Sequence, residues 1–182
     1  MSMSITIRKA RLDDVPALEK LIHASVTDLS KDFYSVVQIE SALIHVFGVD
    51  TQLIKDETYF VAEAGTEIVG AGGWSKRQTL FGGDQTKSKD VEPLLDPAED
   101  AARIRAFYVH PRWARKGIGS RILQTCEEAA INAGFSRVEL VATLPGVPLY
   151  EAHEYVATNP LDLETPDGQS LPAFLMEKSL RS

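Results

Sequence analysis

The sequence holds one cysteine, Cys126, so no disulfide can form within the chain. Cys126 sits on the apolar face of a helical pattern, which makes it a small buried hydrophobe; a nucleophilic thiol needs a charged, accessible setting. Positive charge is also short. Lys and Arg number 19 against 26 Asp and Glu, for a formal net charge of −7. Such a molecule as a whole repels nucleic acid and anionic membrane, so a phosphate ligand would have to be held by local charge. Long apolar runs are missing: no stretch approaches the roughly 20 residues of a membrane-spanning helix. The opening MSMSITIRKA has no hydrophobic core followed by a cleavage site. These absences lead us to expect a cytoplasmic protein with neither nucleic acid nor membrane as a partner. What is present is 182 residues with 44% apolar content, enough for one domain with a real core and short for two. A single domain over 1–182 is expected.

Residues 4–9 alternate as a strand, and Asp13 or Asp14 can cap a helix carrying Val15, Leu18, Leu21, Ile22 and Val26, with Pro16 tolerated in its first turn. A second helical face, Val36, Ile39, Leu43, Val46 and Phe47, ends at Gly48. Runs 58–63 and 68–74 are β-rich around Gly65-Thr66 and read as a hairpin. Residues 76–101 contain Gly82-Gly83, Pro93, Pro97 and many charges, a length that suits a lid or binding loop, or disorder. Strands over 104–109 and 137–143 enclose a helix, which makes a parallel strand, helix, strand unit. Runs 155–163 and 171–178 flank Pro166-Asp167-Gly168 as a closing antiparallel hairpin. The order β-α-α-β-β-β-α-β-α-β-β is an α+β plan around a mixed sheet.

The most informative stretch is VHPRWARKGIGSRIL, Val109 to Leu123, where an apolar strand runs through a basic, glycine-spaced loop straight into a helix. A phosphate needs convergent backbone NH groups, an approach free of side chains, and positive charge nearby. Gly117 and Gly119 supply the bare approach, the first helical turn supplies unpartnered NH groups at the positive end of the macrodipole, and Arg115 and Lys116 add charge. The helix is credible from Ile118, Ile122, Cys126, Ala129 and Ala133 at spacings of three and four, ending at Gly134. Two other phosphate motifs are excluded: Ile122 stands where the Rossmann fingerprint wants its third glycine, and the spacing of a P-loop is absent.

This segment resembles motif A of the GNAT superfamily of acetyl-CoA-dependent N-acyltransferases: an apolar strand, V-x-P, a short loop, [QR]-x-x-G-x-[GA], then a helix. Val109, Pro111, Gly117 and Gly119 match, while Ala114 occupies the [QR] position with Arg115 beside it. The element order is also that of the family, so the resemblance covers nearly the whole chain. It implies a mixed, mostly antiparallel twisted sheet of about seven strands flanked by helices, with the parallel unit at the CoA site. It implies acetyl-CoA as cosubstrate, no metal, and transfer of the acetyl group to a primary amine of a small molecule, peptide or protein by direct attack in a ternary complex. Phe107, Tyr108 and Val109 would pair with pantetheine along a splayed strand edge; Arg115, Lys116, Gly117, Ile118, Gly119 and Ser120 would surround the pyrophosphate. Val109 would polarise the thioester through its NH. Tyr150, in a Y-E-x-x-G-[FY] pattern where Glu154 replaces the glycine and Tyr155 holds the aromatic place, would protonate the leaving thiolate. Glu154 suggests an unusual helix end. Homodimers are common in such families.

Other residues admit more than one reading. The strand reads Arg103-Ile104-Arg105-Ala106 where many family members carry a glutamate base, leaving Asp28, Glu63, Glu92, Glu99, Asp100 or a water chain as candidates. A non-catalytic acyl-CoA-binding or sensing module is the alternative that this substitution and Glu154 support. His110 suits a turn cap better than a base, and Trp113 suits packing better than adenine stacking. Gly70, Ala71, Gly72 and Gly73 leave room for a close ligand, or mark a bulge.

Overall fold

A computed structural model describes residues 3–88, 90 and 92–180. Strand β1 (Ile5–Lys9) leads into helices α1 (Val15–Leu29), α2 (Val36–His45) and α3 (Thr51–Lys55), then strands β2 (Tyr59–Ala64) and β3 (Glu67–Ser75). After the long loop come β4 (Ala102–Val109), α4 (Ile118–Asn132), β5 (Arg137–Thr143), α5 (Val147–Ala152), β6 (Val156–Glu164) and β7 (Ser170–Ser179). They form one seven-stranded sheet in the order β1-β2-β3-β4-β5-β7-β6. All neighbours are antiparallel except β4 and β5, which are parallel. This is the α+β architecture expected from the sequence, with one added helix. The five-residue α3 is too short to show a period; it starts where the Asp50 carboxylate accepts from the Gln52 NH at 3.0 Å.

Each face of the sheet buries its own apolar set. Ile118, Ile122, Leu123 and Cys126 of α4 pack with Ile104, Val138, Leu140 and Met176 on one side. On the other, Leu18, Ile22, Ile39 and Leu53 of α1 to α3 pack with Val61, Leu163 and Leu171. Full burial of each such side chain stabilises by roughly 1.5–3 kcal/mol. The turns fall where the sequence placed left-handed glycines: Gly65, Gly134 and Gly168 have φ of +62°, +97° and +88°. Helix α4 approaches β3 so closely that a Cβ on Gly70 would lie 2.6 Å from Cγ2 of Ile118.

The described part of the long loop is tethered at many points, with residues 89 and 91 outside the described residues. Arg77 pairs with Asp56 at 2.7 Å, and the Leu95 NH donates to the Lys76 carbonyl at 2.8 Å. The NH groups of Gly83 and Asp84 each donate, at 2.9 Å, to the carbonyls of Val46 and Val49. From β4, Arg105 donates to the carbonyls of Thr79 (3.2 Å) and Gly82 (2.6 Å), and to Asp50 at 3.0 Å. Lys87 also pairs with Asp50. A loop that surrenders its backbone carbonyls to a buried guanidinium is part of the packed structure.

Candidate active site

Strands β4 and β5 pair only at Ala102 with Val138 and Arg103 with Glu139. Beyond that point β4 turns away, and its cause lies in the register with β3. Gly73 faces Arg105 and Ala71 faces Tyr108, so Gly72 alone stands opposite both Ala106 and Phe107. The extra residue is a bulge, and Ala106 adopts φ +55° to make it. Bulges bend the strand that carries them, here opening the edge toward β5. The His110 NH donates to the Val69 carbonyl at 2.9 Å. Because successive NH groups alternate between the two edges of a strand, the Val109 NH points to the opened edge.

That edge runs into the glycine loop. His110 Nδ1 accepts from the Arg112 NH at 3.2 Å, the turn-capping role anticipated for it. Trp113 packs on the α4-side core with Lys116 Nζ 5.0 Å from its ring centroid. Arg115 and Gly117 take left-handed φ of +60° and +81°, and Gly117 caps α4 without a side-chain bond. A Cβ on Gly117 would meet nothing within 4 Å, so the approach is open. The Arg121 NH donates to the Gly117 carbonyl at 3.1 Å, which leaves the NH groups of Ile118, Gly119 and Ser120 without helical acceptors. Arg112, Arg115, Lys116 and Arg121, close by in sequence, are exposed. A helix N-terminus of this kind stabilises an anion.

Helix α5 closes the other side. The ring of Tyr150 meets Phe107 edge-on at 6.2 Å and Tyr155 at 5.6 Å. Leu149 abuts Gly119, where a Cβ would lie 3.1 Å from Leu149 Cδ2. His153 Nε2 stands 2.8 Å from Ser120 Oγ. Burial holds the Tyr150 phenol well above its ordinary pKa, so it is protonated at neutral pH. The helix ends in a Schellman motif: the Tyr155 NH bonds the Tyr150 carbonyl at 3.0 Å and the Glu154 NH bonds Glu151 at 3.1 Å. Glu154 adopts the glycine conformation, φ +69°. The helix end is therefore the ordinary one, carried by a residue poorly suited to it.

The structure thus gathers Phe107, Val109, Gly117, Gly119, Ser120 and Tyr150 around the β4 edge and the α4 N-terminus. Two of the anticipated residues have only backbone to offer there. The Tyr108 side chain packs on the α1 to α3 face, and Ile118 is core. Gly72 and Gly73 leave no room for a ligand, because a Cβ would lie 2.7 Å from the Phe107 ring at one and 2.7 Å from Tyr59 Cδ1 at the other. Arg103 pairs with Glu139, and Arg105 with Asp50. Of the carboxylates considered as bases, Glu63 is held by Arg8 at 2.7 Å, Asp28 pairs with Lys31 at 3.1 Å, and Asp100 accepts from the Asp96 NH at 2.7 Å. Sequence reasoning missed His153 and Tyr59: His153 falls on an unspecified position of the Y-E-x-x-G-[FY] pattern and Tyr59 in no motif, and both bond to partners distant in sequence.

An opened β-edge that ends at a helix start with free NH groups, with a buried phenol beside it, has the shape and chemistry to take an extended ligand with a phosphate at one end. Residues 23–155 match the acetyltransferase (GNAT) family, and the chain belongs to it. Solved structures agree on the fold. Ard1 from Thermoplasma volcanium superposes with TM-score 0.67 at 20% identity over 98% of this chain and 99% of that one. PaiA N-acetyltransferase from Thermoplasma acidophilum, in complex with coenzyme A, gives 0.60 at 18% over 97% and 99%. YncA, a putative acetyltransferase from Salmonella typhimurium with acetyl-CoA, gives 0.65 at 16% over 98% and 95%. No curated protein sequence is significantly similar. Among the described residues, no helix is long and apolar enough to cross a membrane.

Proposed function

We propose that the protein is an N-acetyltransferase that moves the acetyl group of acetyl-CoA to a primary amine of a small molecule, peptide or protein. The observation that carries this reading is the continuity of the open edge of β4 with the unpartnered NH groups of α4. Backbone from Phe107 to Val109 would pair with pantetheine amides as a strand does, and the amides of Gly117 to Ser120, with Arg115 and Lys116 near, would take the pyrophosphate. PaiA and YncA, which share the fold, hold coenzyme A and acetyl-CoA respectively.

In the reaction the neutral amine attacks the thioester carbonyl carbon. The Val109 NH, aimed at the open edge, would stabilise the developing oxyanion. As the C–S bond breaks, the thiolate takes the Tyr150 phenolic proton, and the amine's surplus proton passes to water, from which the Tyr150 phenolate is reprotonated before the next turnover. Burial raises the Tyr150 phenol, and the same surroundings raise the proton affinity of a thiolate released beside it, so the transfer stays within reach.

The test is release of free CoA from acetyl-CoA by purified protein only when an amine from a broad panel is present. Tyr150→Phe should lower kcat by roughly 10²-fold while CoA affinity stays near normal. Equal turnover in that variant removes Tyr150 from the acid role. Arginines in place of a strand glutamate favour a second reading, an acyl-CoA-binding module without turnover. CoA binding with no amine-dependent thiol release would select it.

A further inference from the structure

The bulge that opens the β4 edge is built on an alanine in the left-handed region, a conformation that a side chain disfavours. Something has to hold it. The carbonyl of Ala106 accepts a hydrogen bond from the hydroxyl of Tyr59 at 2.8 Å. Tyr59 lies two strands away on β2, and its ring reaches β4 by crossing Gly73 of β3. A side chain on Gly73 would strike Tyr59 Cδ1 and the Thr58 carbonyl, both at 2.7 Å. On the opposite face the Phe107 ring fills the space over Gly72. Two adjacent glycines therefore admit one ring from each side of the sheet, at the single position where β4 has a residue too many. Tyr59 is 1% exposed, and its hydroxyl is committed to the bulge and not to solvent.

We infer that Tyr59 is a positioning residue: its hydroxyl, by binding the Ala106 carbonyl, holds the bulge and so keeps the Phe107 to Val109 edge open and the Val109 NH aimed along it. Tyr59 touches no substrate in this scheme. Its consequence for catalysis rests on the acetyltransferase reading above; its consequence for the strand does not.

The test therefore reads both. Tyr59→Phe keeps the ring and removes the donor, so packing is conserved. Amide hydrogen exchange over 105–110 in the free protein should accelerate about fivefold relative to wild type, while exchange over 170–178 is unchanged. Where wild type turns over, kcat/KM for acetyl-CoA should fall by a similar factor. Adding Ala106→Gly, which relieves the left-handed strain, should restore both in the Tyr59→Phe background. Unchanged exchange over 105–110, acceleration that is uniform across the chain, or failure of the glycine to rescue would each overturn the inference. A wild-type protein that binds no CoA would overturn the acetyltransferase reading alone, and the exchange experiment would still decide the role of Tyr59.

Discussion

Nε2 of His153 lies 2.8 Å from Oγ of Ser120, a bond between the end of α5 and the first turn of α4 across 33 residues of sequence. It fixes the helix that carries Tyr150 to the helix whose NH groups are the proposed pyrophosphate site. Each side chain alone is unremarkable; together they set the distance between the two halves of the proposed chemistry.

Removal of that bond from either end should give the same loss. Ser120→Ala and His153→Ala should each destabilise by about 1 kcal/mol, and the double variant by little more than either single. Urea denaturation of the four proteins gives the cycle. Additive losses would show that the two side chains stabilise independently.

Glu154 at φ +69° occupies the glycine place of a Schellman motif. A residue with a Cβ is strained there, so Glu154→Gly should stabilise the protein by about 1 kcal/mol, net of the added freedom of the unfolded chain. Its midpoint in urea should rise with an unchanged slope. A lower midpoint would mean that the glutamate side chain supplies a compensating contact.

The same residue shows what sequence could and could not reveal. A glutamate in a glycine place looked like a changed helix end, yet the backbone kept the motif and absorbed the strain, because the bonds from Tyr155 and Glu154 to Tyr150 and Glu151 outweigh one unfavourable φ. The parallel unit, the hairpins and the Gly117 loop were legible because each depends on local periodicity or turn chemistry. What was not legible joins residues far apart in sequence. The bond from Tyr59 to Ala106 and the pairing of Asp50 with Arg105 each span some fifty residues. Gly72 and Gly73 show it best: their smallness was visible, but what fills the space is decided by rings from β2 and β4.

The five tyrosines of the chain share an electrostatic situation. Burial raises the phenol pKa of Tyr34, Tyr59, Tyr108, Tyr150 and Tyr155 above the ordinary value of 10.0. Unfolded phenols ionise near pH 10, folded ones only above it, so the unfolded chain releases protons first as pH rises. The stability that neutral burial supports is complete below about pH 10 and is lost as pH climbs toward the folded values, by up to about 1.4 kcal/mol per pH unit for each phenol. Phenolate absorbance should therefore appear together with loss of circular dichroism, as one transition. A tyrosine that titrates near pH 10 in the folded protein would contradict its assigned burial.

Asp50 is the joint on which the long loop depends. Its carboxylate caps α3, meets Arg105 at 3.0 Å and pairs with Lys87, and the Asp50 and Arg105 side chains are 1% and 2% exposed. Replacing two buried partners together can be tolerated, but removing one leaves the other's charge uncompensated, at about 3–5 kcal/mol. Asp50→Ala should therefore destabilise on that scale and release the carbonyls of Thr79 and Gly82 from an Arg105 that no longer has a fixed position. Trypsin should then cut the segment 76–87 while the rest of the chain stays intact. Asp50→Ala with Arg105→Met removes both charges of the buried pair and should recover much of the stability, but not the protection of the loop, because methionine offers Thr79 and Gly82 no donor. Equal loop protection in wild type and both variants would show that the loop is held by its other tethers, Arg77 with Asp56 and the backbone bonds from Gly83 and Asp84.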